Sequence, residues 1–298
     1  MSRRTRAASV VAAVLLMGAA CRREGTGSAG SADPLEGARQ LVDERRYDEA
    51  IELLGSGSDA ATLTLLGRAW MGKAETAPLP TPVPGSGAPA AALLKAEERQ
   101  ALGFLERAVG ARPDHAEAHL ALAELLGPHA LALSHRPGAS AAGASAEVSV
   151  DRVLHAYGEA SQADPAGTLA LEGLIRFATL AGRRAEANGA YQELVRRRRE
   201  DPGLLVRYGD FLAGPGGDPE GALALYAQAL IWKADDTTTR LKMADIHLAA
   251  AQSLLAKRQY MAAEARLREA RRFAVDPASP QVARLTDLEA RLREIRGR

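Results

Sequence analysis

The chain has 298 residues, of which 47% are hydrophobic, 25% charged and only 4% aromatic. Its formal charge of +1 becomes −2 once the three arginines of residues 1–20 are set aside, because 35 basic residues then face 37 acidic ones. A near-neutral body lacks the basic footprint of a nucleic-acid binder, and a single cysteine excludes a disulfide framework. Ala, Leu, Glu and Arg dominate while β-branched runs are scarce, so composition favours helix over sheet.

The amino terminus predicts export. Arg3, Arg4 and Arg6 form a basic region, Ala7 to Met17 is uncharged and mostly apolar, and Gly18-Ala19-Ala20 supplies small residues before Cys21. This order is that of a secretory signal, and the apolar run is shorter than the roughly 18 to 20 residues that span a bilayer. Residues 1–20 resemble a bacterial lipoprotein signal peptide, with Cys21 at the position that is lipidated. The resemblance implies a lipid-anchored mature chain starting at Cys21. With Arg22 rather than Asp next, it implies the outer membrane, facing the periplasm. Ordinary cleavage after Ala20 is the alternative, and it leaves a free thiol and a soluble periplasmic protein. Residues 21–33 are short, small and Gly/Ser-rich, and read as a tether with a mean reach of about 20 Å. Asp33-Pro34 then marks a helix start, with Asp as cap and Pro in the first turn.

From residue 34 to 298 the sequence reads as paired helices carrying a recurring pattern. The first half appears as Leu63/Leu66/Gly67/Trp70 and His119/Leu122/Ala123/Leu126. Weaker copies are Leu171/Leu174/Ile175/Ala178 and Leu205/Tyr208/Gly209/Leu212. The second half appears as Ala50/Leu54, Ala101/Leu105, Val153/Tyr157, Ala187/Tyr191, Ala222/Tyr226 and Ala263/Leu267. Small residues follow at Ala108, Ala160, Ala229 and Ala270, and Pro113 and Pro165 close two units. All six tyrosines fall at positions of this pattern. The small residues let the helices of a pair approach, and Trp70, Leu126, Tyr157, Tyr191 and Tyr226 are expected to fill the grooves between pairs.

This pattern resembles the tetratricopeptide repeat. The resemblance implies an all-α protein, an α-α superhelix of about six helix pairs with a C-terminal capping helix. Ser279-Pro280 opens that last helix, whose exposed face carries Arg284, Asp287, Arg291 and Glu294. Asp236 to Lys257 reads as one long helix. Two insertions interrupt the array, a Pro-rich one near residues 75–90 and an Ala/Gly/Ser-rich one near 134–149. Both are expected to be loops.

Chemistry is sparse. His115 and His119 share one helical face at a spacing that can hold a metal, but Ala116 stands where a zinc protease carries Glu. His119 also occupies a packing position. No nucleophile elbow, phosphate-cradling loop or paired-carboxylate site emerges, so no catalytic residue, metal site or cofactor is assigned. The run Arg196-Arg197-Arg198-Arg199 reads as a solvated helix end that caps carbonyls, or as a contact with anionic lipid or polymer.

The family resemblance places the first helix of each pair on the concave face. It puts Thr64, Arg68, Glu117, Leu120, Glu124, Glu172, Arg176, Val206, Asp210, Leu241 and Asp245 there as partner-binding positions. The function expected is a non-catalytic, lipid-anchored scaffold that binds an envelope protein or peptide segment. Piloting secretin or pilus assembly, or aiding outer-membrane barrel assembly, is a narrower version. A metal-dependent enzyme or factor using His115 and His119 is the alternative from another class.

Overall fold

The computed structural model describes residues 33–77, 94–135, 148–274 and 276–297, which form thirteen α-helices and no strand. The first six are α1 (Pro34–Asp43), α2 (Tyr47–Leu54), α3 (Ala60–Thr76), α4 (Ala96–Ala111), α5 (Ala116–Ser134) and α6 (Val150–Ala163). Then come α7 (Leu169–Leu180), α8 (Arg184–Arg197), α9 (Pro202–Ala213) and α10 (Pro219–Trp232). The last three are α11 (Thr237–Ala256), α12 (Tyr260–Phe273) and α13 (Pro280–Arg296).

Local chemistry sets these boundaries. The side chains of Asp33, Asp59, Ser149, Asp201, Asp218, Asp236 and Ser279 each accept a hydrogen bond from a first-turn amide of the helix they precede. Each satisfies a donor that the helix itself leaves unpaired. At the start of α4 the roles reverse, and Glu98 Oε2 accepts the Lys95 amide at 2.6 Å. The ammonium of Lys95 then donates to the carbonyls of Ala74 (2.6 Å) and Ala77 (2.7 Å), fastening the end of α3 to the start of α4.

Six helix pairs follow one another along the chain: α1–α2, α3–α4, α5–α6, α7–α8, α9–α10 and α11–α12. Helix α13 packs against both α11 and α12 and buries Leu285, Leu288 and Leu292. Arg284, Asp287, Arg291 and Glu294 remain exposed, as a terminal cap requires. The fold is thus an all-α superhelix, a tetratricopeptide-like solenoid of six pairs and a closing helix. The insertions near 75–90 and 134–149 lie largely outside the described residues, as do the leader, Cys21 and nearly all of the tether.

The recurring small residues are the deepest points of the core. Ala50, Ala101, Val153, Ala187, Ala222 and Ala263 are each 0% exposed, one in every second helix. Opposite several of them, glycines admit a large neighbour. A Cβ on Gly67 would stand 2.6 Å from Leu105 Cδ2, and one on Gly209 would stand 2.5 Å from Tyr226 Cε1. Both contacts lie within a pair. At Gly173 the intruder is Tyr157 of the preceding pair, 2.4 Å from the missing Cβ, and its ring also tilts against Phe177. Tyr191 crosses from α8 to stack on Tyr208 with ring centroids 4.9 Å apart. Tyr157 and Tyr191 therefore fill inter-pair grooves as expected. Tyr226 does not. It lies on Gly209 of its own pair, with its hydroxyl donating to Asp210 at 2.7 Å.

Gly209→Ala tests this packing because two effects oppose. Alanine in a helix gains about 1 kcal/mol over glycine, whereas overpacking a closed core costs about 1–3 kcal/mol. Tyr226 is 1% exposed and tethered by its hydroxyl, so the ring cannot yield and the substitution should lower the melting temperature. Gly189→Ala, where nothing lies within 4 Å, should raise it. Thermal unfolding followed by circular dichroism reads both signs.

Candidate functional site

Successive odd-numbered helices α1, α3, α5 and α7 pack against one another, and so do α11 and α13. Successive even-numbered helices make no comparable contact among the described residues. The odd helices therefore line the inside of the curve. Between α7 and α9 the inner contact lapses, and the pairs are joined there through Tyr191, Tyr208 and Phe211 instead.

The inner face is internally paired at both ends. Near the amino terminus Arg39 of α1 reaches Glu117 of α5 at 3.8 Å. Toward the carboxyl terminus Lys242 of α11 donates to both carboxylate oxygens of Asp210, at 2.7 and 2.6 Å. Asp245 accepts from Arg284 and Gln281 of α13, each at 2.8 Å. Glu172 pairs with Arg198 at 3.5 Å. These exposed pairs contribute little stability singly, but they neutralise charge along the face. Asp210 and Asp245 thus act first as staples of the solenoid.

The middle is different. Glu124 and Arg176 are exposed and belong to no ion pair among the described residues. Both act on the buried hydroxyl of Tyr157, whose pKa is raised by burial first and then by Glu124, while Arg176 opposes the rise. On the same helix Leu169 and Leu180 are 70% and 57% exposed. They lie seven residues before and four after Arg176, within about 20° of one line along α7. Sequence reasoning missed both leucines; their spacing from Arg176 was the available signal.

The other expected positions divide by burial. Leu120, Val206 and Leu241 are half-buried, with Leu120 and Val206 packed against core clusters. Arg68 is half-buried and its Nε has no hydrogen-bond partner among the described residues. Thr64 is not on the surface. It is 0% exposed and its hydroxyl donates to Ala60 O at 2.7 Å, so it is a core residue whose polar atom is satisfied within its own helix.

The arginine run resolves into separate tasks. Arg197 crosses to the preceding pair and donates to the carbonyls of Ser161 (3.2 Å), Asp164 (3.3 Å) and Gly167 (2.7 Å). It thereby caps α6, not its own helix. Arg198 donates to Thr168 Oγ1 at 2.7 Å, and Arg196 pairs with Glu193.

His115 and His119 are both buried. His119 Nε2 donates to the Pro113 carbonyl at 2.8 Å, while the Arg112 guanidinium donates to His115 Nδ1. Each ring thus spends a nitrogen on packing, and no group of three potential ligands gathers among the described residues. The geometry gives the metal reading no support.

No protein-family model matches the chain, and the curated proteins yield no match. Several solved structures are similar. TTC0263 of Thermus thermophilus, described as a thermophilic TPR protein, aligns over 72% of this chain and 96% of its own, with 19% identity and a TM-score of 0.40. MamA of AMB-1 aligns over 68% of this chain and 91% of its own, with 15% identity and a TM-score of 0.42. Human IFIT1, solved as a dimer with PPP-AAAA, aligns over 82% of this chain and 55% of its own, with 14% identity and a TM-score of 0.43. These likenesses assign no ligand or partner to this chain.

Burial disfavours the charged form of two histidines in the fold. The pKa of His115 is lowered by burial and then by Arg112, and that of His247 by burial and then by Arg266. The unfolded chain, with histidine near 6.5, therefore takes up protons first as pH falls. The stability that these groups contribute is present above about pH 6.5 and lost as pH drops below it. Melting temperature should fall from pH 7.5 to 5.5, and the double variant His115→Gln/His247→Gln should flatten that slope.

Proposed function

We propose that this chain is a non-catalytic, lipid-anchored scaffold of the bacterial cell envelope that holds a segment of another envelope protein on its inner face. The observation carrying this reading is the stripe on α7. Two exposed leucines flank an arginine whose charge has no ion-pair partner among the described residues. Exposed apolar groups beside a charge with no ion-pair partner are what a desolvating partner contact uses. The segment that fits places a carboxylate near Arg176 and apolar side chains over Leu169 and Leu180. The two ends of the face, already neutralised by Arg39–Glu117 and by Lys242–Asp210, hold the curvature and leave the centre to the partner.

The anchor rests on residues 1–21: three arginines, an apolar run and small residues before the single cysteine. Anchoring confines the search for a partner to the membrane surface and so raises effective concentration. The composition of residues 22–32 supports a tether long enough to clear the headgroups. The outer membrane, facing the periplasm, is the location this reading favours.

Two experiments separate the parts. Cys21→Ser should move the chain from the detergent phase to the aqueous phase, and unchanged partition would contradict the anchor. Arg176→Glu combined with Leu180→Ser should cut recovery of crosslinked envelope partners by about tenfold. Undiminished recovery would contradict the inner-face assignment while leaving the anchor standing.

A further inference from the structure

Helix α10 is out of character for its place on the outside of the solenoid. Residues 221–232 contain no ionisable side chain except the hydroxyl of Tyr226. Only one face is buried, through Ala222, Tyr226 and Ala229. The opposite face, Ala224, Ala227, Gln228 and Ile231, is exposed at helical spacing, with Ile231 79% and the adjoining Trp232 53% exposed. At the corresponding positions the flanking even helices carry charge that α10 lacks: Gly189, Gln192, Glu193 and Arg196 on α8, and Ala265, Arg268, Glu269 and Arg272 on α12. A helix apolar on all sides normally has all sides covered.

We infer that the outer face of α10 is a self-association surface that seats a second copy of this chain. A closed two-fold contact needs a surface that complements itself. This stripe does so when two copies of α10 cross antiparallel at Gln228. Bulky Ile231 at one end then lies over small Ala224 at the other, in both directions. Each Gln228 carboxamide meets its twin, and an amide both donates and accepts. Glu220, held by Arg266 at 2.6 Å, opens the helix, and exposed Lys233 follows its end, so antiparallel copies bring these opposite charges toward each other. The alanines permit close interaxial approach. Neighbouring rim charges are of both signs, with Glu193 and Glu269 beside Arg196 and Arg272, which suits a protein surface better than anionic lipid.

The test uses the full chain with Cys21→Ser, which removes its single cysteine. In that background Gln228→Cys should oxidise to a disulfide-linked dimer. Ile231→Cys should crosslink efficiently only when mixed with Ala224→Cys. Separately, Ala227→Glu with Ile231→Glu should weaken self-association in sedimentation at least about tenfold. Both positions are exposed, so the circular dichroism spectrum should not change. A chain that stays monomeric to about 100 μM, or equal crosslinking from all three cysteines, would overturn the proposal. So would loss of binding to phosphatidylglycerol vesicles in the Glu variant without any loss of dimer.

Discussion

Everything in this molecule hangs on small residues that receive large ones across helix seams. No pair of helices here can bury its apolar face alone, so the fold must be closed by neighbours at close approach. The close approaches, within pairs and between them, have one form: Leu105 on Gly67 and Tyr226 on Gly209 inside a pair, and Tyr157 on Gly173 between two pairs. In each, a Cβ on the glycine would come within 2.6 Å of the incoming side chain. Real Cβ atoms do not sit so close to neighbours, so these seams set the spacing and through it the curvature. Polar staples such as Arg197 on the end of α6 act on a geometry that packing has already established.

From that spacing comes a division of labour along the inner face. Toward both ends of that face, charges on different odd helices lie near enough to neutralise one another, as at Arg39–Glu117 and Asp245–Arg284. Between α7 and α9 aromatic rings carry the joint, and side chains of α7 stay exposed. Leu169, Arg176 and Leu180 are in that position. Openness there follows from the same packing that closes the rest.

Much of this was legible in the sequence. The six pairs, the capping role of Ser279-Pro280 and the limits of the long helix α11 followed from caps, prolines and the alternation of small and large residues. Burial of Ala50 through Ala263 followed from the same pattern. What escaped depended on the third dimension. Thr64 occupies an inner-face position in one-dimensional register, yet its hydroxyl is satisfied by Ala60 O, which allows complete burial. Asp210 and Asp245 read as free carboxylates because Lys242, Arg284 and Gln281 are 32 to 39 residues away in sequence. Arg197 read as capping its own helix, but its long side chain reaches another.

The most direct measurement is a double-mutant cycle across the seam between the third and fourth pairs, using Gly173→Ala and Tyr157→Ala. If the tyrosine ring occupies the space a Cβ would need, removing the ring relieves the cost of the alanine, and the two changes should couple by about 1 kcal/mol or more. Additivity within about 0.5 kcal/mol would mean that the ring and the glycine do not meet, and the account of how the solenoid closes would fail.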